Sequence, residues 1–389
     1  MNFQIPRDVL YVLDRLEGAG HRADIVGGSV RDLLLGRSPD DYDITTSATP
    51  EETKAVFSDL RTLDTGIKHG TVGILLEGRV YETTTYRVDG EYLDSRHPES
   101  VSFTRDIVED LARRDFTVNA ISFSPFHGIC DPFGGRSDLE NGIIRAVGEP
   151  NLRFREDALR ILRGLRFSAT FGFEIEGRTS EALFKNAHLL ANVSAERIWV
   201  ELRKTIAAPH AYDVMTRYAE IFLGVMRPLT SLSLPNRAAF DAADPTSRLL
   251  ALFFNGGVED FDAFTRNLKT DNHLRALGTA ILGSVGKYDL TDKTDINRAL
   301  RFLGEEAAFG LINLEKALGH KAEGDILSEL LASGVCYRIS DLDISGSDLT
   351  SLGYKGREIG LALDNLLTAV IDGRVENERA ALTQFLKTN

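Results

Sequence analysis

The sequence predicts an α+β chain, strand-bearing up to about residue 145 and helical beyond it. Three observations predict this. Short β-branched or apolar runs recur in the first part, at 24–26, 42–44, 71–76, 80–85 and 121–123. Glu77-Gly78-Arg79 separates two of these runs as a hairpin turn would. From about residue 150 the strands nearly stop, and helical periodicity dominates, as at 156–167, 195–205, 247–254 and 357–371. At 389 residues the chain is long enough for two or three domains with ample cores.

Composition narrows the class. No apolar run reaches membrane-spanning length, and the opening MNFQIPRDVL lacks a basic-then-apolar leader. Cys130 and Cys336 are too few and too far apart for a zinc knuckle or a disulfide framework. The expectation is a soluble, cytoplasmic protein. A formal net charge of −13 argues against indiscriminate nucleic-acid binding and confines any RNA contact to a local basic patch.

The most informative stretch is GGSVRDLLLGRSPDDYD, residues 27–43. Apolar Ile25 and Val26 precede the glycine pair as a buried strand would. A glycine turn opening a helix cradles phosphate, because free backbone N–H groups and the positive helix end face the anion. Ser29 is placed to cap that helix, with Asp32 reaching back as a capping-box acid. Asp41 and Asp43 stand at i, i+2, so on a strand both carboxylates point to one side. A phosphate cradle beside paired carboxylates is what a magnesium-dependent nucleotide site needs.

Further constellations follow in the first half. Glu82, after the hairpin, would return beside the aspartate pair as a third carboxylate, either in a metal shell or as a proton acceptor. In 113–120, RRDFTVNA, an arginine suits a phosphate and the aspartate a ribose hydroxyl; a charged helix start is the plainer alternative. DPFGG at 131–135 and Asn141-Gly142 read as structural turns with a hairpin flavour.

The strongest second feature is EDALRILRGLRF, 156–167. On a helix, Ala158, Ile161, Leu162 and Leu165 share a core-facing side, while Asp157, Arg160, Arg163 and Arg166 spread over the other. Asp157 and Arg160, at i, i+3, are expected to be surface neighbours. Such a pair imitates a nucleobase edge: the carboxylate accepts from an exocyclic amine and the guanidinium donates to a ring nitrogen. Cytosine and adenine fit, whereas uracil and guanine set a carbonyl oxygen against the carboxylate. A buried mismatch of that kind is worth discrimination on the order of 10⁴.

Together these residues resemble the class II tRNA nucleotidyltransferases, the CCA-adding enzymes, within the larger group that includes bacterial poly(A) polymerases. The resemblance runs through GGSVRDLLLG, DDYDITT, GIKHGTVGI, YETTTYR, DGEYLDSRHPESVSF, DLARRDFTVNAI, DPFGGRSDLENGIIRAVGEP, RFREDALRILRGLRF and SAERIWVELRK, and returns in ISGSDLTSLGYKGREIGLALDNLLTAVIDG. It implies a polymerase-beta-like nucleotidyltransferase head with a mixed sheet over 1–145, then an all-helical remainder. That remainder divides into a neck with the nucleotide-selecting helix at 146–205, a body at 206–275 and a tRNA-binding tail at 276–389.

Carried over by position, the resemblance assigns Gly28 and Arg31 to the triphosphate turn, and Asp41 and Asp43 to two magnesium ions. Glu82 becomes the third catalytic carboxylate, and Arg114 and Asp115 the nucleotide- and ribose-contacting pair. Asp157 and Arg160 become the amino-acid template, adjoined by the nucleotide-binding Arg163 and Arg166. The implied reaction is attack by the 3′-hydroxyl of the tRNA acceptor end on the α-phosphate of CTP or ATP, with release of pyrophosphate. No membrane partner is implied, and the oligomeric state stays open.

The segment 89–103 resembles the loop that full CCA-adding enzymes carry and CC-adding enzymes shorten. His97 stands where the family pattern has arginine, and Arg357 where it has proline. GIKHGTVGI lacks the basic run of the poly(A) polymerases, and the C-terminal half shows no paired His-Asp phosphohydrolase signature. An A-adding-only enzyme, a poly(A) polymerase, a non-catalytic tRNA-binding module and a nucleotidyltransferase for small acceptors are the alternatives.

Overall fold

A computed structural model describes residues 3–90 and 101–388, so most of the 89–103 segment, His97 included, lies outside the described residues. The chain divides into two compact units, Met1–Val225 and Met226–Asn389.

The first unit opens with helix α1 (Arg7–Gly18), whose Val9, Val12, Leu13 and Leu16 form one buried stripe. Strand β1 (Ala23–Val26) is buried along its whole length and runs into α2 (Gly28–Leu34). There follow β2 (Ile44–Thr46), α3 (Pro50–Val56), β3 (Thr62–Gly66), β4 (Thr71–Leu76) and β5 (Arg79–Thr85). A short hairpin, β6 (Arg87–Asp89) with β7 (Val101–Phe103), precedes α4 (Ile107–Ala112). Next come β8 (Ser122–Ser124), β9 (Gly128–Cys130), α5 (Gly135–Glu140) and β10 (Ile143–Ile144).

Seven strands form one sheet in the order β3-β4-β5-β2-β1-β8-β9. The sheet is mixed: β2 and β5 run parallel, with Ile44 opposite Thr83, and the other pairings are antiparallel. The predicted hairpin is present, and β4 returns as β5 through Glu77 and Gly78, both at positive φ. Along β5, Tyr81, Thr83 and Thr85 are buried while Val80 and Glu82 face out, the period-2 alternation of a half-covered strand.

Two local expectations are corrected. The strand predicted at 42–44 is Ile44–Thr46, so Asp41 and Asp43 lie on the chain leading into it. The DPFGG turn leads into α5 instead of a hairpin, because Asp131 accepts hydrogen bonds from the N–H groups of Gly135 and Arg136.

Helices then take over: α6 (Pro150–Glu156), α7 (Leu159–Phe171), α8 (Gly177–Asn186), α9 (Ala195–Ala207), α10 (Ala211–Arg217) and α11 (Ala219–Val225). One two-residue strand, β11 (Glu174–Ile175), pairs with β10. The predicted helix 156–167 is broken. Asp157 has extended backbone angles (φ −141°, ψ 104°) between α6 and α7, and its side chain caps α7 by accepting from the Leu159 N–H at 3.0 Å.

The second unit is all helical: α12 (Arg237–Ala242), α13 (Pro245–Leu252), α14 (Gly257–Asn267), α15 (Asn272–Leu282), α16 (Lys293–Ala317), α17 (Gly324–Ala332), α18 (Gly346–Ser351), α19 (Arg357–Ile371) and α20 (Arg379–Thr388). Phe240, Phe253, Phe261 and Phe264 are fully buried in it. A separate apolar cluster of Leu342, Ile344, Leu349, Leu366, Leu367 and Leu382 holds its C-terminal helices. No helix of the described residues is long and apolar enough to cross a membrane.

Candidate active site

Gly27 is where the site begins. Its φ of 72° is left-handed, and a Cβ there would lie 3.0 Å from Arg114 Nη1 and 4.0 Å from an Asp43 carboxylate oxygen. The glycine turn therefore brings the backbone, a cation and an acid from three chain segments together.

Ser29 is buried, but it does not cap α2, whose N-cap is Gly27 with no side-chain bond. Its hydroxyl instead donates to the Asp41 carbonyl (3.0 Å) and accepts from the Asp43 N–H (3.2 Å). One hydroxyl thus fixes the backbone on both sides of the Asp-Tyr-Asp step, a role that the capping reading missed. Asp32 pairs with Arg31 at 2.9 Å rather than closing a capping box.

Asp41, Asp43 and Glu82 line one pocket of about 650 Å³, walled by Pro6, Pro39, Tyr42 and Tyr81. The register explains the meeting. Ile44 lies opposite Thr83 in the parallel pair, so the preceding Asp43 falls opposite Glu82. All three residues are exposed as a whole, but the Asp43 carboxylate end is turned into the protein. Loss of water around the Asp43 carboxylate raises its pKa above the ordinary aspartate value; Arg114 opposes this and Asp41 adds to it.

Among the described residues, no group of three or more His, Cys, Asp or Glu side chains is arranged to hold a metal ion. The aspartate pair, with Glu82 apart from it in the same pocket, is what this face offers. These are hard oxygen donors, without His or Cys, and they fit a hard divalent cation that keeps waters and binds substrate phosphate.

A second pocket of about 220 Å³ adjoins, lined by Asp43, Thr45, Thr84, Arg113 and Arg114 among others. Fully buried Asp110 anchors its cations, accepting from Arg113 at 2.8 Å and Arg114 at 3.2 Å. Burial alone would raise Asp110, but the two arginines hold its pKa below the ordinary value. The Arg114 Nε is buried without a hydrogen-bond partner among the described residues.

The sheet side meets the helical side at 115–119. The Phe116 ring lies against Gly164 of α7, where a Cβ would come within 2.9 Å of it, and packs edge-on to Phe167 at 5.8 Å. Buried Asp115 accepts from Arg163 (2.7 Å), the Asn119 amide (3.1 Å) and the Phe116 N–H (2.8 Å). Burial pushes its pKa up, and Arg163 and Asn119 more than reverse this, leaving it at about 2. Arg31 reaches the same junction. It donates to Asn119 Oδ1 (2.8 Å) and lies over Phe171 at 4.8 Å and Phe167 at 5.5 Å.

Asp157 and Arg160 are not paired with each other as expected. Asp157 accepts from Arg197 of α9 at 2.8 Å. Arg160 donates to Glu156 (2.7 Å) and to the Arg153 and Arg113 carbonyls (3.3 and 2.9 Å). Arg166 pairs with Glu201 of α9 at 2.5 Å and covers the Phe167 ring at 4.1 Å. Glu156, Arg197, Glu201 and Asn119 were missed by sequence reasoning. Arg197 and Glu201 are spaced i, i+4 on an amphipathic helix, which marks a shared face but not a partner.

The family described as "Poly A polymerase head domain" matches residues 23–145. "Probable RNA and SrmB- binding site of polymerase A" matches 172–223, and "tRNA nucleotidyltransferase domain 2 putative" matches 244–386. The CCA-adding enzyme of Streptococcus pyogenes serotype M2 is 36% identical over 394 residues, covering 97% of this chain and 96% of the relative. The chain belongs to the CCA-adding enzymes. Among solved structures, the Bacillus stearothermophilus CCA-adding enzyme in complex with CTP superposes with a TM-score of 0.82 at 34% identity, covering 99% of each chain. The Thermotoga maritima CCA-adding enzyme complexed with tRNA-CCA shares the fold at TM-score 0.70 and 20% identity, covering 99% of this chain and 96% of that one. This CCA-adding enzyme family member is therefore a nucleotidyltransferase, with the mixed-sheet head and helical remainder that its sequence predicts.

Proposed function

We propose that this enzyme adds C, C and A in turn to the 3′ end of tRNA, using CTP and ATP and releasing pyrophosphate. The observation that carries the reading is the junction at 115–119, which joins the carboxylate pocket to an arginine-lined helix within one compact unit. The bare Gly28 backbone, Arg31 and Arg114 bind the triphosphate. Burial disfavours the charge on both arginines, so an arriving anion is favoured there. Asp115 accepts from the ribose hydroxyl. Glu82 accepts the proton of the attacking tRNA hydroxyl.

Asp41 and Asp43 would hold magnesium, in a two-metal arrangement that supplies charge neutralisation at the phosphates and a more acidic hydroxyl. Ser29 keeps the backbone of that pair in place.

Selection falls to α7. Each Asp157 carboxylate oxygen accepts one hydrogen bond within the protein and keeps a lone pair for an exocyclic amine. Arg160 keeps N–H groups beyond those given to Glu156 and the two carbonyls. Arg163 and Arg166 flank the nucleotide on the same helix. We assign the head to 1–145, the neck to 146–205, the body to 206–275 and the tRNA-holding tail to 276–389, and place the enzyme in the cytoplasm.

One gel tests the reading. The enzyme receives tRNA ending at the discriminator base, at −C and at −CC, with labelled CTP or ATP offered separately. The expected pattern is CTP incorporation on the first two and ATP incorporation on the third. ATP incorporation on the −CC substrate alone would mark an A-adding enzyme, long A tracts a poly(A) polymerase, and no incorporation a binding module.

A further inference from the structure

Asn119 is buried, at 6% exposure, and its amide faces two ways. Its Oδ1 accepts from Arg31 Nη1 at 2.8 Å, and its Nδ2 donates to Asp115 Oδ1 at 3.1 Å. The other oxygen of Asp115 accepts from Arg163 Nε at 2.7 Å. An unbroken chain of polar contacts therefore runs from α2, through Asn119 and Asp115, to α7. A second route runs parallel to it, with the Arg31 guanidinium over the Phe167 and Phe171 rings of the same helix. An amide suits this position because it is the one side chain of its size that offers an acceptor to a cation and a donor to a carboxylate at once. Aspartate has the acceptor alone, and alanine has neither.

We infer that Asn119 is a positioning residue that couples the triphosphate to base selection, so that a held phosphate tail tightens the discrimination made at Asp157 and Arg160. This rests on the assignment of Arg31 to the triphosphate and of α7 to the base. When Arg31 engages phosphate, its remaining N–H stays on Asn119, and Asn119 fixes Asp115. Asp115 in turn fixes Arg163, one turn beyond Arg160. Without the amide, Arg31 still faces the phosphates from α2 and Arg163 still carries its charge, but the polar route between them is cut and only the stacking of Arg31 on the Phe167 and Phe171 rings joins α2 to α7. Coupling of this kind is reciprocal: whatever the tail contributes to reading the base, the correct base returns to the affinity for the tail.

The test is equilibrium binding of CTP, UTP and base-less inorganic tripolyphosphate to the full-length enzyme, wild type against Asn119→Ala and Asn119→Leu. Both variants are expected to lower the CTP-over-UTP affinity ratio by about fivefold or more, while tripolyphosphate affinity changes by less than about twofold. A merely structural role would weaken all three ligands alike. An equal loss for CTP, UTP and tripolyphosphate, or an unchanged ratio in both variants, overturns the inference. Asn119→Leu keeps the side chain's volume without its polar atoms or a new charge, and decides the matter if Asn119→Ala loses its thermal transition. Binding is read independently of turnover, so a wild-type enzyme that discriminates on binding but adds nothing to tRNA would sink the proposed activity and leave the coupling measurable.

Discussion

Asp41, Asp43 and Glu82 stand exposed around one pocket, and neither aspartate has an ion pair among the described residues. On α7 and at its start the opposite holds. Asp157 has Arg197, Arg160 has Glu156, Arg163 has Asp115 and Arg166 has Glu201, all within 2.8 Å. On the roles proposed above, the rim gives its charge to something that arrives and is left without ion pairs. The helix that would read the base keeps its shape while bases come and go, its charges already held by the protein. Loss of a rim carboxylate should cost chemistry alone, and damage at the helix should cost chemistry and stability together.

The largest expected effect breaks the rim. Asp43→Ala should lower nucleotide incorporation on the order of 10³-fold or more, with an unchanged thermal midpoint. A melting shift as large as that of a helix variant would erase the contrast. At the helix, Arg160→Ala removes one of the two arginines on Glu156, leaving Arg153 at 3.0 Å, together with the N–H groups given to two carbonyls. We expect a stability loss of about 2 kcal/mol by urea unfolding, and rejection of UTP weakened on the order of 10²-fold.

A smaller effect comes from pH. The folded pKa of Asp115, about 2, lies below its unfolded value of roughly 3.9. Its contribution is therefore essentially complete above pH ~4 and is lost as pH falls through ~2, about 2 to 3 kcal/mol in all. Melts between pH 2 and 6 should show that slope in the wild type and a flatter one in Asp115→Asn. The smallest effect sharpens the rim. Ser29→Ala should cost about 1 kcal/mol and raise the magnesium concentration for half-maximal turnover, with CTP-over-UTP selection unchanged. A change in selection would show that rim and helix share this hydroxyl.

Much of this was legible in the sequence where one element decides its own structure. The helix predicted at 357–371 is α19, Arg357–Ile371, and the hairpin around Glu77-Gly78 is the β4–β5 turn. Legibility failed where a distant group outbid a local one. Ser29 reads locally as a cap, but α2 already begins at Gly28, and the Ser29 hydroxyl serves the Asp41 carbonyl and the Asp43 N–H instead. The 156–167 periodicity is real, yet Asp157 leaves the helix to cap the next one and to meet Arg197, forty positions away. Strand β3 was missed because Thr62–Gly66 carries little apolar alternation and is held by its partner β4. For the site, residue types and positions were readable, but their partners were not. A row of arginines does not announce which acids hold it.

The pairing of Asp115 with Arg163 has a consequence for a chain still being made. The glycine turn and both aspartates are synthesised first, the β5 wall with Glu82 next, and α7 much later. Translation that halts between β5 and α7 leaves a fragment with every reactive carboxylate and no means of choosing a base. If the halt falls past residue 115, the carboxylate there also lacks the cation that makes its burial tolerable, which works against folding of the fragment. On the proposed roles, a chain halted past residue 115 and short of α7 is therefore inert rather than careless.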